Sequence, residues 1–472
     1  MRRFDGIIKS LTLSKNFLDD HFFNIELQEL MKQRLAQLEV LDLYDCSQLT
    51  PSGIHAAVKQ LPALNELKLP ASMVIETVLR GFAQEFSPYL LQPFQHLKEL
   101  DLAGPNMLFP AQITQILASL PELTHLNLSG LDQLNDEALV TALQHVPELT
   151  HLCVKDCSQL TPGGLGAALV HLSNLKYLEL RQLPQFDAAE EPAPQEDGGD
   201  EAPAIPEAII RILEHSPRLT HLVLRDCFEF TPDGLATALE RVRDTLISLD
   251  LSFAHQLAGP ALAHVLAQVP NLRELKLSGI ENLSDADLAA ALQRVTSLTH
   301  LEASALSDLT DAGVNIALQP MTSLTYLEMS LCDRLQHLDL PRLDSLRTLE
   351  LGEAINLRSF SLKNIPFLQH LNLKGNSSLD MSEVNALSLS DVRDTLVTLN
   401  LSGIDLDDEQ MPDLSGFNNL RRLDLSHNRD LTDSALRNLP VLDQMNVIGC
   451  VKLTDKALEA VKANEIVQYP SS

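Results

Sequence analysis

Residues 123–128, Leu-Thr-His-Leu-Asn-Leu, return as residues 149–154, Leu-Thr-His-Leu-Cys-Val, after a period of 26 positions. Between the two copies, residues 135–143 carry apolar side chains at helical spacing. Alternation of apolar residues at period two predicts a short strand with one buried face. A single strand–helix unit cannot bury its own apolar face, so it must stack on copies of itself. This stretch therefore predicts a repeat protein.

The strand pattern recurs along nearly the whole chain. It begins at seventeen positions: Ile8, Leu38, Leu64, Leu97, Leu123, Leu149, Leu175, Leu219, Leu246, Leu272, Leu298, Leu324, Leu346, Leu368, Leu396, Leu420 and Leu442. We expect an α/β solenoid, curved like a horseshoe, with a parallel sheet on the concave face and helices on the convex face. The expected organisation is a capping unit at 1–37 with a helix at 22–35, a solenoid at 38–464 and a tail at 465–472.

Helix starts can be read from capping residues. An N-cap residue precedes an acid, which opposes the helix dipole, at Asn135, Ser284, Thr310, Thr432 and Thr454. A threonine precedes proline, which needs no N–H partner at the first helical position, at Thr50, Thr161 and Thr231. Each of these positions predicts a helix after the strand of its unit.

The repeat shortens in the second half of the chain. Strand patterns begin every 11 residues at Leu324, Leu335, Leu346, Leu357 and Leu368, which gives a 22-residue unit. Four residues fewer leave no room for a helix of two to three turns. We expect an extended, helix-poor convex segment near residues 330–365, with helices returning at 382–392 and near Asp433.

One segment breaks the pattern. Residues 184–206 contain five prolines, seven acids and no lysine or arginine. Such a composition buries too little apolar area to offset the entropy of ordering the chain. We expect a disordered acidic loop, with a helix resuming at 206–214.

The charge balance limits the class of partner. Asp and Glu number 64 against 35 Lys and Arg, a net charge of −29. Nucleic acid and anionic membranes both need cationic surface, so the composition argues against them. It permits a protein partner with a basic surface, although the acid can also serve only solubility. We expect a monomer in the absence of that partner.

The cysteines indicate a reducing compartment. Five of the six share one repeat position, three residues after the last apolar residue of a strand. Cysteines in repeats far apart along a solenoid cannot reach disulfide distance. We therefore expect structural thiols and a cytoplasmic location, which includes the cytoplasm of a host cell for a secreted protein.

The repeat, Leu-x-x-Leu-x-Leu-x-x-Cys-x-x-Leu-Thr-Asp/Pro-x-x-Leu, resembles the cysteine-containing leucine-rich repeat. In that family the Cys or Asn side chain bonds to turn backbone beneath the sheet. The resemblance implies this structural role for Cys46, Cys157, Cys227, Cys332, Cys450, Asn376 and Asn428. The pattern is specific for fold and weak for function.

The resemblance extends to two functional groups. The repeats are similar to those of substrate receptors of cullin-type ubiquitin ligases, in which an F-box precedes the array. The residues before Leu38 leave no room for an F-box here. The mixture of 22- and 26-residue units looks like leucine-rich repeat effectors of intracellular bacterial pathogens. We therefore expect a non-enzymatic binding scaffold, and specifically a bacterial effector that acts on a host protein. The alternative is a substrate receptor of a ubiquitin ligase.

Ring side chains form one outward row. The third position of each strand pattern places His125, His151, Tyr177 and His221 on consecutive rungs, and His300 and Tyr326 further along. Rings about 4.8 Å apart can contact a partner, stack, or share a metal. Inheritance of a duplicated motif also explains the row. No cofactor or metal site is expected. Contact with a partner and inheritance of a duplicated motif both remain as explanations of the ring row.

Acids dominate the next outward position. Eight of its sixteen residues are acidic and two are basic, and Glu302, Glu328 and Glu350 occupy adjacent rungs. Like charges on neighbouring strands repel, so a purely structural protein gains nothing from them. The row predicts contact with Lys or Arg of a partner, with a solvated acidic face as the alternative.

A basic cluster is expected two residues further along the strands. Lys155, Arg181 and Arg225 occupy consecutive rungs beside the acidic loop. Tyr and Arg are favoured anchors of protein interfaces. We therefore expect this cluster and the neighbouring rings to form a contact site that the loop covers.

Catalysis is not expected. The sequence contains no phosphate-binding glycine loop, G-x-S-x-G or H-E-x-x-H motif. The outward Cys153 lies near Lys155 and His151, which can lower a thiol pKa. An open sheet face, however, offers no water-excluding pocket or oxyanion donors to a nucleophile.

Overall fold

The computed structural model describes residues 9–12, 37–42, 61, 63–68, 97–103, 109–181, 206–226, 231–381, 389–461 and 463–467. The chain divides into two compact units, Met1–Leu246 and Ile247–Ser472. Both are of class α/β and are built from parallel strands at the repeat period. The expected cap helix at 22–35 and nearly all of the expected acidic loop at 184–206 lie outside the described residues.

The first unit contains a parallel ladder of short strands. They are β1 (Ser10–Thr12), β2 (Val40–Asp42), β3 (Glu66–Lys68), β4 (Glu99–Asp101), β5 (His125–Asn127), β6 (His151–Lys155), β7 (Tyr177–Arg181) and β8 (His221–Val223). Each pairs with the next, and Leu126 opposite Leu152 reproduces the sequence period. The central leucine of each rung from β4 to β8 is buried while its neighbours are half-buried. Burial of this leucine fixes the register, since a one-residue slip would expose it.

The second unit continues the same pattern. Its strands are β9 (Ser248–Asp250), β10 (Glu274–Lys276), β11 (His300–Glu302), β12 (Tyr326–Glu328), β13 (His337–Asp339), β14 (Thr348–Glu350), β15 (Ser359–Ser361), β16 (His370–Asn372), β17 (Thr398–Asn400), β18 (Arg422–Asp424), β19 (Leu442–Asn446) and β20 (Ala463–Val467). The main ladder runs from β9 to β20 and passes over β13 and β15, which form a separate parallel pair. The seventeen predicted strands are all present among the described residues.

Two features of this unit bear on the expected boundaries. The segment between β12 and β16 holds β13 and β15 and no described helix, so the expected helix-poor segment is confirmed. The last strand, β20, lies beyond the final predicted unit. It pairs in parallel with β19 and occupies part of the expected tail, so the ladder continues to Val467.

Helices follow many of the strands. They are α1 (Pro110–Ala118), α2 (Asp136–Leu143), α3 (Pro162–Leu169), α4 (Pro206–Glu214), α5 (Pro232–Leu239), α6 (Pro260–Leu266), α7 (Asp285–Leu292), α8 (Asp311–Leu318) and α9 (Asp455–Ala460). The predicted caps accept from the third helical N–H at Asn135, Thr161, Thr231, Ser284, Thr310 and Thr454. The capping residues therefore start these helices where the sequence predicts.

The expected helix near Asp433 is wrong. Residues 433–438 form turns, and the unit from Leu420 to Leu442 has 22 residues, too few for a helix of two to three turns. The expected helix at 382–392 begins outside the described residues, and its end, Leu389–Val392, is a 3₁₀ turn.

Neighbouring repeats are joined by a carboxylate. Asp136, at the first position of α2, accepts from Thr161 N–H at 2.8 Å and from Thr161 Oγ1 at 2.5 Å. Thr161 Oγ1 in turn accepts from Gly164 N–H at 3.0 Å. Asp285 holds Thr310 in the same way, at 2.9 and 2.7 Å. The acid that favours its own helix dipole therefore also fixes the start of the next helix.

Candidate functional site

The predicted ring row exists as a stack on β5 to β8. Strand pairing places His125, His151 and Tyr177 in one register, with His221 next to Tyr177. The His125 and His151 centroids are 3.9 Å apart at an interplanar angle of 16°. Centroid distances are 5.7 Å from His151 to Tyr177 and 6.2 Å from Tyr177 to His221. The parallel strands thus turn a duplicated sequence position into a continuous ring surface.

Glu179 organises the residues beside this stack. Its carboxylate pairs with Lys155 Nζ at 2.8 Å and accepts from Tyr177 Oη at 3.0 Å. Cys153 Sγ lies 3.4 Å from the same carboxylate. The sequence analysis did not single out Glu179, although the repeated Tyr-Leu-Glu of residues 177–179 and 326–328 is a signal, since a strand places both side chains on one face.

The Cys153 thiol differs from the expectation for a reactive cysteine. Burial, followed by the charge and hydrogen bond of Glu179, raises the pKa of Cys153 to about 12. Lys155 acts in the opposite direction but is itself paired with Glu179. The expectation of a lowered pKa at Cys153 is therefore wrong, although Lys155 contributes in that direction. At neutral pH the group is a thiol, which is a poor nucleophile.

The expected basic cluster is neutralised by neighbouring acids. Arg181 Nε lies 2.9 Å from Asp226 Oδ2, and Arg225 Nε lies 3.9 Å from the same oxygen. Lys155 is paired with Glu179. The three cations lie on β6, β7 and the turn after β8, as predicted, but the surface they form has mixed charge. Sequence position alone did not reveal Asp226, which lies in that turn with φ at +56°.

The second unit carries the acidic row. Glu302, Glu328 and Glu350 are adjacent in register on β11, β12 and β14. Lys276 Nζ lies 2.7 Å from Glu302 Oε1. The Glu328 carboxylate accepts from Tyr326 Oη at 3.0 Å and from Ser304 Oγ at 3.1 Å. Local donors thus hold the carboxylates of Glu302 and Glu328 at the solvent face.

The electrostatics of this row follow from its crowding. Burial and then the carboxylates of Glu328, Glu350 and Glu302 raise the pKa of Tyr326. Burial and the Glu328 charge raise the pKa of Glu350, against a hydrogen bond from Asn372 that lowers it. His300 stacks on Tyr326 with centroids 5.7 Å apart. An approaching cation would relieve the repulsion among these carboxylates.

Aspartate and asparagine at the same strand position have another role. Their Oδ1 accepts the backbone N–H two residues later, at 2.8 to 3.2 Å, which closes the turn after the strand. The residues are Asp101, Asn127, Asp250, Asn372, Asn400, Asp424 and Asn446. Of the expected acidic row, Asp101, Asp250 and Asp424 are therefore turn residues.

Buried side chains beneath the turns bridge successive repeats. Cys157, Cys332 and Cys450 donate from Sγ to backbone oxygens of Leu128, Ala303 and Leu425 at 3.0 to 3.4 Å. Asn376 donates to Leu351 O, and Asn428 to Leu401 O, each at 2.8 Å. Cys46 and Cys227 lie outside the described residues. These contacts join each turn to the repeat before it.

Two features are absent from the described part of the chain. No described helix is long and apolar enough to cross a membrane. In the same residues, no group of three or more His, Cys, Asp or Glu side chains is arranged to hold a metal ion.

Parallel strands at the repeat period, capped helices after many of them, and Cys or Asn bridges beneath the turns define a leucine-rich repeat fold. No protein-family model matches the chain, and no curated protein matches it. Among solved structures, the chain is similar to yeast Rad7 in its complex with Elc1, with 18% identity and a TM-score of 0.46 over 83% of this chain and 94% of that one.

Two other solved structures are similar. Mouse RP105, from its complex with MD-1, has 16% identity and a TM-score of 0.42 over 91% of this chain and 86% of that one. The leucine-rich repeat protein LegL7 from Legionella pneumophila has 15% identity and a TM-score of 0.43 over 66% of this chain and 97% of that one. At these values the similarities carry no argument about function.

Proposed function

We propose that this protein is a non-enzymatic scaffold that binds a protein partner with a basic surface on the solvent face of its strands. The observation that carries the proposal is the glutamate row of Glu302, Glu328 and Glu350 on adjacent rungs. Unlike the turn-closing aspartates, these glutamates close no turn, so the fold does not require them. Repulsion along the row is a cost that a bound cationic partner recovers.

Aromatic rings beside the glutamate row provide a surface for the partner's basic side chains. Tyr326 lies against the carboxylates with His300 stacked on it, and an aromatic ring beside acids suits a lysine or arginine side chain. The raised pKa of Cys153 also disfavours a thiol nucleophile at this position. Binding is therefore the activity that the arrangement of side chains supports best.

The test reverses the charge of the row. The variant carries Glu302→Lys, Glu328→Lys and Glu350→Lys, and the matched control carries the same reversal at three exposed acids, Glu137, Glu240 and Glu281. The wild type, the row variant and the control are each immobilised and used to capture proteins from a eukaryotic lysate. We expect the wild type and the control to capture a partner that the row variant does not. Equal capture by the wild type and the row variant would refute the proposal.

The same capture separates the two narrower roles. We propose action on a host protein as a secreted bacterial effector, which predicts a single basic target. The alternative, a substrate receptor of a ubiquitin ligase, predicts cullin components among the captured proteins, and their recovery would replace the effector role.

A further inference from the structure

Four histidines share one hydrogen-bond arrangement with the threonine before them. Each threonine Oγ1 lies 3.0 or 3.1 Å from a backbone oxygen of the preceding strand. The same Oγ1 lies 2.8 to 3.0 Å from Nδ1 of its own histidine. The pairs are Thr124-His125, Thr150-His151, Thr220-His221 and Thr299-His300.

The distances between these groups favour one placement of the ring proton. Each carbonyl oxygen already accepts two backbone N–H groups, and a hydroxyl has one hydrogen. With that hydrogen between Oγ1 and the carbonyl oxygen, which lie 3.0 or 3.1 Å apart, Nδ1–H of the histidine donates to Oγ1. Glu99 Oε1, 3.6 Å from Nδ1 of His125, favours a proton on the same nitrogen. Nε2 of each neutral ring then keeps its lone pair.

We propose that the Thr–His pairs hold these rings in the Nδ1–H tautomer, and that the row on β5 to β8 is an acceptor surface for an arginine guanidinium of the partner. This inference rests on the proposed function, because it names the group that docks on the strand face. Among the described residues, no hydrogen bond reaches Nε2 of His125, His151 or His221.

A hollow of about 230 Å³ adjoins the row. Its exposed lining is mostly apolar, and the side chains that bring acceptors to it are Glu66, Glu99, Asp101, Asn127, His125 and His151. The ring row ends at His125, where β4 places Glu99 at the same register position.

A guanidinium fits this end of the row. It is planar, stacks on rings and carries five donors, which matches a carboxylate beside an imidazole. Burial, followed by the charges of His125 and His221, lowers the pKa of His151 to about 4. At neutral pH His151 therefore accepts and does not repel the cation.

The tautomer is tested by ¹⁵N NMR of the histidine side chains at pH 7. We expect protonated Nδ1 and unprotonated Nε2 for His125, His151, His221 and His300. Thr150→Val removes the hydroxyl and should move the His151 signals toward a tautomer average. Thr141→Val is the matched control, since Thr141 Oγ1 donates to Glu137 O on α2 at 2.8 Å. Protonated Nε2 at these rings in the wild type would overturn the tautomer assignment.

The ligand is tested with a hexapeptide of alternating arginine and glycine and the same peptide with citrulline. We expect at least tenfold tighter binding of the arginine peptide, and about fivefold weakening by Glu99→Gln. Glu137→Gln, which removes the same charge from an exposed position on α2, should weaken binding less than twofold. Equal weakening by both variants, equal binding of both peptides, or no binding would overturn the guanidinium site.

These outcomes are independent of the glutamate row. Partner capture that depends on Glu302, Glu328 and Glu350, together with no binding of the arginine peptide, would refute the guanidinium site and leave the proposed function intact. Peptide binding without partner capture refutes the proposed role of the glutamate row instead.

Discussion

Substitution of two adjacent glycines tests the carboxylate that joins the repeats. A Cβ on Gly164 would lie 1.9 Å from Asp136 Cγ and 2.4 Å from its Cβ, so the aspartate would have to leave its position. A Cβ on Gly163 would meet only Thr161 Oγ1, at 3.7 Å. Gly164→Ala and Gly163→Ala are therefore the same chemical change with and without the collision.

The expected effects have opposite signs. Alanine in place of glycine within a helix stabilises it by about 0.5–1 kcal/mol. Displacement of Asp136 removes two hydrogen bonds to a charged group, each worth about 1.5–3 kcal/mol, partly replaced by water. We expect Gly163→Ala to raise the free energy of unfolding slightly and Gly164→Ala to lower it by about 1–2 kcal/mol, net of the helix gain.

The assay is equilibrium urea unfolding followed by circular dichroism, compared at equal m-values. A double-mutant cycle with Asp136→Ala completes the test, because Gly164→Ala should become stabilising once the aspartate is absent. Stabilisation by Gly164→Ala in the wild type would refute the reasoning. Destabilisation that persists in the Asp136→Ala background would refute it equally.

Three other predictions concern single side chains. Cys153, with a pKa of about 12 against an ordinary 9.0, should alkylate about a thousandfold more slowly at pH 8 than a free thiol, measured by mass spectrometry of its peptide. The pKa of His151 falls from 6.5 to about 4 on folding, so between these values the unfolded chain binds more protons than the folded chain. The free energy of unfolding therefore decreases as the pH falls from 6.5 toward 4. His151→Tyr should make urea midpoints less sensitive to pH in that window, and an unchanged pH profile would contradict this. Asn428→Ala should lower the free energy of unfolding by about 2–4 kcal/mol, and by more than Asn376→Ala. The reason is that Oδ1 of Asn428 also accepts two backbone N–H groups, while Oδ1 of Asn376 has no partner among the described residues. Equal losses in thermal unfolding would contradict the comparison.

The fold was predictable because burial leaves few alternatives. A leucine pattern at a fixed period has one stable arrangement, and its strands appear where the apolar residues predict them. The length of each unit also carries information. The argument that predicts the helix-poor segment, too few residues for a helix of two to three turns, applies also to the unit at Leu420, where a helix was nevertheless expected near Asp433.

The candidate site was less predictable, because one strand position serves two purposes. Asp424 closes its turn through Ser426 N–H, whereas Glu328 at the equivalent position accepts from Tyr326. A single methylene separates these roles, and counting acids does not reveal it. The pairing of Arg181 with Asp226, 45 positions away in the sequence, is likewise set only by the path of the chain.

The link between Asp136 and Thr161 was hidden for a different reason. An acid at the first helical position is fully explained by the helix dipole, so the sequence offered no reason to look for a second partner. The glycine at position 164 is the sequence feature that reflects this contact, because a larger residue would collide with Asp136. It is required by a side chain of the preceding repeat and not by its own backbone.

An aspartate and the glycine that makes room for it lie 28 positions apart, from 136 to 164 and again from 285 to 313, further than the 26-residue period of the units they join. The two residues of each pair therefore lie in successive units, so no single unit carries this joint on its own.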